Sequence, residues 1–198
     1  KVVHMLRDPY DTVASLVERG MSPYFASGLW VYNNSAGLSV SHSGGNRYYQ
    51  LRYESLVSNT ENEIKELCDF IGVDISGASL LEARQDEKES GISSWNSKPS
   101  EGVSNKSIGG FRRLPVETQD AVISALGCFR IRKSVVRDKN YHHSSSEEIC
   151  DALGYRFIKP KKVQRLDRQL EMAQDFVRRT LKGYSTGGLR YPGALSFR

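Results

Sequence analysis

Short apolar runs and amphipathic runs alternate over the first third of the chain, and their order sets a topology. Residues 1–6 (KVVHML) are β-branched and apolar, as expected of a buried strand in a parallel sheet. The pattern then changes within two residues. Asp8 followed by Pro9 reads as an N-cap with proline at the first helical position. Asp11 puts an acid in the first turn, and Val13, Leu16 and Val17 recur at helical spacing until Gly20 stops the helix. Ser22 and Pro23 repeat the cap signature for a second helix carrying Phe25, Leu29, Tyr32 and Ala36, which ends in the polar stretch 41–46. Residues 47–53 (RYYQLRY) alternate with period two and predict another strand. Thr60 and Glu63 then read as a capping box ahead of the stripe Ile64, Leu67, Cys68 and Ile71, closed by Gly72. The order strand, helix, helix, strand, helix predicts α/β layering around a parallel sheet.

The later chain is less regular. Residues 90–110 are rich in Ser, Gly, Asn and Lys and predict a long loop of the kind that is often functional. Helices are predicted over 115–126 with Gly127 behind it, and over 145–153 with Gly154 behind it. A long basic amphipathic helix is predicted along Val163, Leu166, Leu170, Val177 and Leu181, with Arg165, Arg168, Arg178, Arg179 and Lys182 facing solvent.

Composition narrows the class. With 38% hydrophobic and 26% charged residues, the chain has the profile of a soluble globular protein, and no apolar run reaches the length of a membrane span. No signal-peptide layout opens it. Cys68, Cys128 and Cys150 are odd in number and far apart, which fits neither a disulfide framework nor a C-x-x-C pair and favours a reducing compartment. The net charge of +5 divides into −4 over residues 1–127 and +9 over 128–198, so the basic character belongs to the C-terminal segment. That asymmetry suits either a solvated face or the binding of a polyanion such as nucleic acid. His142 and His143 are adjacent and lack Asp or Cys at ligand spacing, so no metal site is predicted.

The chemistry concentrates at the end of the first strand. Ligands of open parallel sheets sit beyond the carboxyl ends of the strands, where Arg7 stands with a guanidinium fork suited to phosphate. Positions 8, 11, 12 and 15 share one helix face, so the Ser15 hydroxyl is in reach of the same anion. On spacing alone the same residues also suit a salt bridge from Arg7 to Asp8 or Asp11, with Ser15 an inert surface residue.

The stretch KVVHMLRDPYDTVAS resembles the strand-loop-helix of sulfotransferases that use 3′-phosphoadenosine 5′-phosphosulfate. In that family an Arg of an R-D-P or R-N-P turn and a Ser eight residues later hold the 3′-phosphate, a spacing Arg7 and Ser15 keep. A second block, YYQLRYESLVSNTENEIKELCDFIGVD, is similar to the family's strand, Y-E-x-L turn and helix, with Tyr53, Glu54, Leu56, Phe70 and Gly72 matching. Trp30 resembles an aromatic position between the blocks. The likeness covers about residues 1–73 and thins afterwards. It implies Tyr53 at the adenine, and it implies Lys106 and Arg112 of NKSIGGFRR at the 3′-phosphate, although Asn105 stands where the family has a leading Arg.

Absences shape the rest of the expectation. The family's G-x-x-[RK]-[ST]-G-[ST] loop for the 5′-phosphosulfate does not occur here, nor does a Walker motif, and the catalytic residue is unknown. The resemblance therefore implies a P-loop-like α/β fold, a three-layer parallel sheet with flanking helices, of which residues 1–198 supply the later portion. His4, inside the apolar strand, reads as a satisfied histidine rather than a base. The implied reaction is sulfuryl transfer to a hydroxyl or amine of a carbohydrate, protein tyrosine or small molecule, without metal and without nucleic acid, in the cytoplasm or the Golgi lumen. Asn33-Asn34-Ser35 and Asn105-Lys106-Ser107 are glycosylation tripeptides that leave the compartment open. The competing expectations are a non-enzymatic polyanion-binding module and a related nucleotide kinase.

Overall fold

A computed structural model describes residues 1–74, 105–131, 143, 145–161 and 195–197. Contacts divide the chain into two compact units, one of residues 1–6 with 46–107 and one of 7–45 with 108–198.

In the first unit β1 (Val2–Leu6) pairs in parallel with β2 (Tyr48–Arg52), with Val2 opposite Tyr48 and Leu6 opposite Arg52. The short α3 (Tyr53–Ser58) and then α4 (Thr60–Ile71) follow. Leu6 and Leu51 are fully buried. The expectation of a buried first strand holds only at Leu6, however, because Val2, Val3 and Met5 are 43%, 40% and 53% exposed. Among the described residues β1 pairs only with β2, and these three side chains are left uncovered. The capping box at Thr60 is also corrected. Asn59 is the N-cap and makes no side-chain cap bond, while the Thr60 hydroxyl donates to the Leu56 carbonyl at 2.8 Å. The cause is α3, whose last turn supplies an acceptor that the sequence pattern did not anticipate. Gly72 does close α4, in the left-handed conformation at φ 79°. Tyr49 stacks on Phe70 with ring centroids 5.2 Å apart, holding β2 to α4.

The second unit is mostly helical. Its elements are α1 (Pro9–Glu18), α2 (Pro23–Gly44), α5 (Val116–Cys128), β3 (Phe129–Ile131), α6 (Ser146–Ala152) and β4 (Leu195–Phe197), the two strands being antiparallel. The caps are as predicted for α1 and α2, and α6 has one that the pattern did not single out. Asp8 accepts from two backbone N–H groups, the Ser22 hydroxyl accepts the Phe25 N–H, and Ser145 with Glu148 makes a full capping box. Tyr24 from α2 meets Ala125 and Cys128 from α5 in the core. Gly127 does not terminate α5 but lies inside it. A Cβ there would come within 2.6 Å of Pro160 Cγ, so the glycine admits the 160 segment against the helix instead of ending it.

Across the described residues the architecture is mixed α/β with a small parallel sheet. Phe129–Ile131 is a strand in which Phe129 is buried. The basic stripe along 163–181, its cations, most of the 90–110 loop and His142 lie outside the described residues. Among the described residues no helix is long and apolar enough to cross a membrane, and no three His, Cys, Asp or Glu residues are grouped to hold a metal.

Candidate functional site

Arg7 leaves β1 and enters the loop that Asp8 turns into α1. Its backbone is fixed from outside the motif: the indole N–H of Trp30, only 3% exposed on α2, donates to the Arg7 carbonyl at 3.1 Å. Trp30 therefore has a defined task at the position the resemblance singled out, which is to hold the residue that carries the guanidinium.

The amides of the first turn of α1 are fully accounted for. Pro9 has none; those of Tyr10 and Asp11 both donate to Asp8 Oδ1 at 2.9 Å; and that of Thr12 donates to the Asp8 carbonyl at 2.9 Å. An anion beside Arg7 thus meets a helix start whose donors are already engaged, and side chains have to hold it. Arg7 and Ser15 are half-buried, with Ser15 one turn beyond Asp11 on the same helix.

Asp11 behaves unlike a surface acid. It is 6% exposed, and its two carboxylate oxygens accept separate backbone donors from the glycine-rich turn, Gly109 N–H at 2.7 Å and Phe111 N–H at 2.9 Å. Gly109 adopts φ 73°, a left-handed conformation open to glycine at little cost. The chain then forms a 3₁₀ turn, Gly110–Arg113, in which Phe111 packs on Tyr10 with ring centroids 5.1 Å apart while Arg112 and Arg113 stay exposed. Asp11 thus ties a segment about a hundred residues away to the helix that starts at the Arg7 turn, and of the two acids offered as salt-bridge partners for Arg7 this one has its oxygens on backbone amides.

Tyr10 is the other buried polar group here. Its phenol oxygen accepts the Ile158 N–H at 2.6 Å, and burial first of all, against the easing effect of that bond, pushes its pKa well above the ordinary tyrosine range. Burial, with the carboxylates of Asp8, Asp151 and Glu147 adding to it, likewise pushes the Cys150 thiol up to about 12. Both groups are therefore neutral packing residues at ordinary pH rather than nucleophiles.

The remaining candidates separate. Arg7, Ser15 and Arg112 belong to the unit that holds α1, whereas Tyr53 and Lys106 belong to the unit that holds the parallel sheet. Tyr53 is half-buried at the first position of α3, not at the end of a strand, and the exposed Lys106 sits in a 3₁₀ turn, Asn105–Ser107, that neighbours α3. His4 shares a 2.6 Å hydrogen bond between its Nδ1 and the Tyr48 hydroxyl across the two strands, which suits the satisfied histidine expected there. Sequence reading missed the Asp11 tie and the Tyr10 acceptor. A buried acid inside the first turn was the one available signal, but its partner lay too far along the chain to identify.

Compared with known proteins, residues 1–77 match the sulfotransferase family, whereas no curated protein and no solved structure matches the chain. The matched stretch runs from β1 through the Arg7 turn, α1, α2 and β2 to just past α4. Residues 1–77, which carry Arg7, Ser15, Trp30 and Tyr53, are similar to the sulfotransferase family.

Proposed function

We propose that the chain forms the later part of a P-loop-like sulfotransferase domain that uses 3′-phosphoadenosine 5′-phosphosulfate, and that its α1 region binds the 3′-phosphate of that nucleotide. The observation that carries this reading is the attachment of the Gly109–Phe111 turn to the first turn of α1 through Asp11. It joins in one unit the two segments that each resemble the family's 3′-phosphate residues.

The donor set fits a phosphate. Arg7 offers a fork for bidentate contact, Ser15 a hydroxyl, and Arg112 a second cation, while the engaged amides of α1 leave the task to these side chains. When bound, the nucleotide supplies an activated sulfuryl group for transfer to an acceptor hydroxyl or amine. Arg7 and Ser15 act remotely from that chemistry: they hold and orient one end of the cofactor, and binding energy collected there serves to align the reacting end. Tyr53 at the adenine and Lys106 at the phosphate rest on the resemblance alone. The exposed apolar residues of β1 support a larger sheet, since Val2 on one face and Val3 and Met5 on the other are the residue types of a strand enclosed on both sides.

Calorimetry with 3′-phosphoadenosine 5′-phosphate and with AMP tests the reading. Arg7→Ala should weaken the bisphosphate by about 1.5 to 3 kcal/mol and leave AMP nearly unaffected, as expected for loss of a charge-assisted hydrogen bond to the 3′-phosphate. Equal losses for both nucleotides would remove Arg7 from that role.

A further inference from the structure

We infer that Asp11 is a positioning residue for nucleotide binding, the lock that sets Arg112 on the same phosphate as Arg7; the inference rests on the 3′-phosphate reading above. Asp11 lies in the first turn of α1, four residues after Arg7 and one turn before Ser15, and it is buried at 6% exposure, where an unpartnered carboxylate is costly. Its partners are two main-chain N–H groups two residues apart, at 2.7 and 2.9 Å, one to each oxygen. Two such contacts fix the direction of the turn as well as its distance, because a single oxygen would let the turn pivot. The residue that follows the second donor is Arg112, and its N–H is in turn bonded to the Gly109 carbonyl at 3.2 Å, which closes the 3₁₀ turn behind the lock. The buried Phe111 ring packs against Tyr10, while Arg112 and Arg113 are exposed.

An acid adjacent to a proposed anion site needs a reason, since a free carboxylate there would repel phosphate. Here both oxygens face amide hydrogens, so the negative charge is directed into the turn and compensated by backbone dipoles. The residue types agree. The positive φ of Gly109 favours glycine, and a Cβ at Gly110 would make ordinary contact with an Arg113 guanidinium nitrogen at 3.4 Å and Asp11 Oδ1 at 3.9 Å, so the turn runs beside the carboxylate.

The test is a double-mutant cycle on the full chain, read as the ratio of AMP to 3′-phosphoadenosine 5′-phosphate dissociation constants, with amide hydrogen exchange at Gly109 and Phe111 as a readout independent of ligand. Asp11→Asn keeps the shape but turns an amide N–H toward a backbone donor. It should speed exchange at one or both amides and cut the preference for the bisphosphate about tenfold, with AMP affinity unchanged. Arg112→Ala should cost about the same factor in the parent chain and almost nothing further in the Asp11→Asn background. Gly109→Ala, which meets no atom within 4 Å and acts only through its φ, should reproduce the pattern and replaces Asp11→Asn if that variant does not fold. Full retention of the bisphosphate preference in a folded Asp11→Asn protein with faster exchange, or an undiminished Arg112→Ala effect in that background, overturns the positioning role while leaving Arg7 in place. A parent chain that does not distinguish the two nucleotides overturns the parent reading and the inference together.

Discussion

The two compact units use their polar and apolar groups in opposite ways. Around α1 every early amide has a partner, both acids are committed to backbone donors, and an indole from α2 fixes the Arg7 carbonyl. In the β1–β2 unit the sheet is regular in register but thin, with Leu6 and Leu51 buried and three apolar residues of β1 left to solvent. The contrast shows where order is generated. A few side chains and one distant turn are enough to complete the hydrogen bonds of a helix start, whereas covering a sheet face requires another layer of chain.

The largest effects that sharpen this contrast come from buried side chains. Trp30→Ala should destabilise the chain by about 4 kcal/mol and Leu51→Ala by about 3 kcal/mol, read from denaturant midpoints. Under the proposed 3′-phosphate reading, only the first should also impair nucleotide binding, because it releases the Arg7 carbonyl. If Leu51→Ala proved harmless, the sheet unit would lack even the core assigned to it.

A smaller difference separates the cap from the exposed strand. Asp8→Ala removes the acceptor of two amides and should cost about 1 kcal/mol. Met5→Thr on the open face of β1 should stay within about 0.5 kcal/mol of the parent. A large penalty for Met5→Thr would mean that this face is covered in solution and would break the comparison.

The smallest effect is alkaline. The Cys150 thiol is raised from 9.0 to about 12 on folding, so folding favours its protonated form. Its contribution to stability is complete below pH 9 and is lost as pH rises through about 12. Thermal melts across that range should therefore fall less steeply for Cys150→Ala than for the parent. Some slope should survive, since the Tyr10 phenol is raised for the same reason and titrates in the same sense. Identical slopes would show that the thiol is not held in a desolvated site beside Asp8.

Much of this arrangement is legible in residues close together along the chain. Asp8-Pro9, Ser22-Pro23, Ser145 with Glu148, and Gly72 each encode a helix end through contacts spanning a few positions, and the observed helices begin and stop there. The Arg7 and Ser15 spacing was visible for the same reason, being a property of one strand end and two helical turns. The errors also have local causes. Thr60 looked like a cap because α3 was not foreseen, and Gly127 looked like a stop although its lack of a side chain is needed for Pro160.

The sequence by itself determined β1, α1, α2, β2 and α4 in that order, the caps at Asp8 and Ser22, and the eight-residue separation of Arg7 and Ser15. Only the tertiary structure decided that Asp11 faces inward, that its partners are Gly109 and Phe111, and that Trp30 holds Arg7. The physical reason is the range of the interactions. Caps and periodicity depend on neighbours a turn away, but a buried carboxylate is tolerated only where distant backbone donors converge on it, and that convergence is a property of the folded chain.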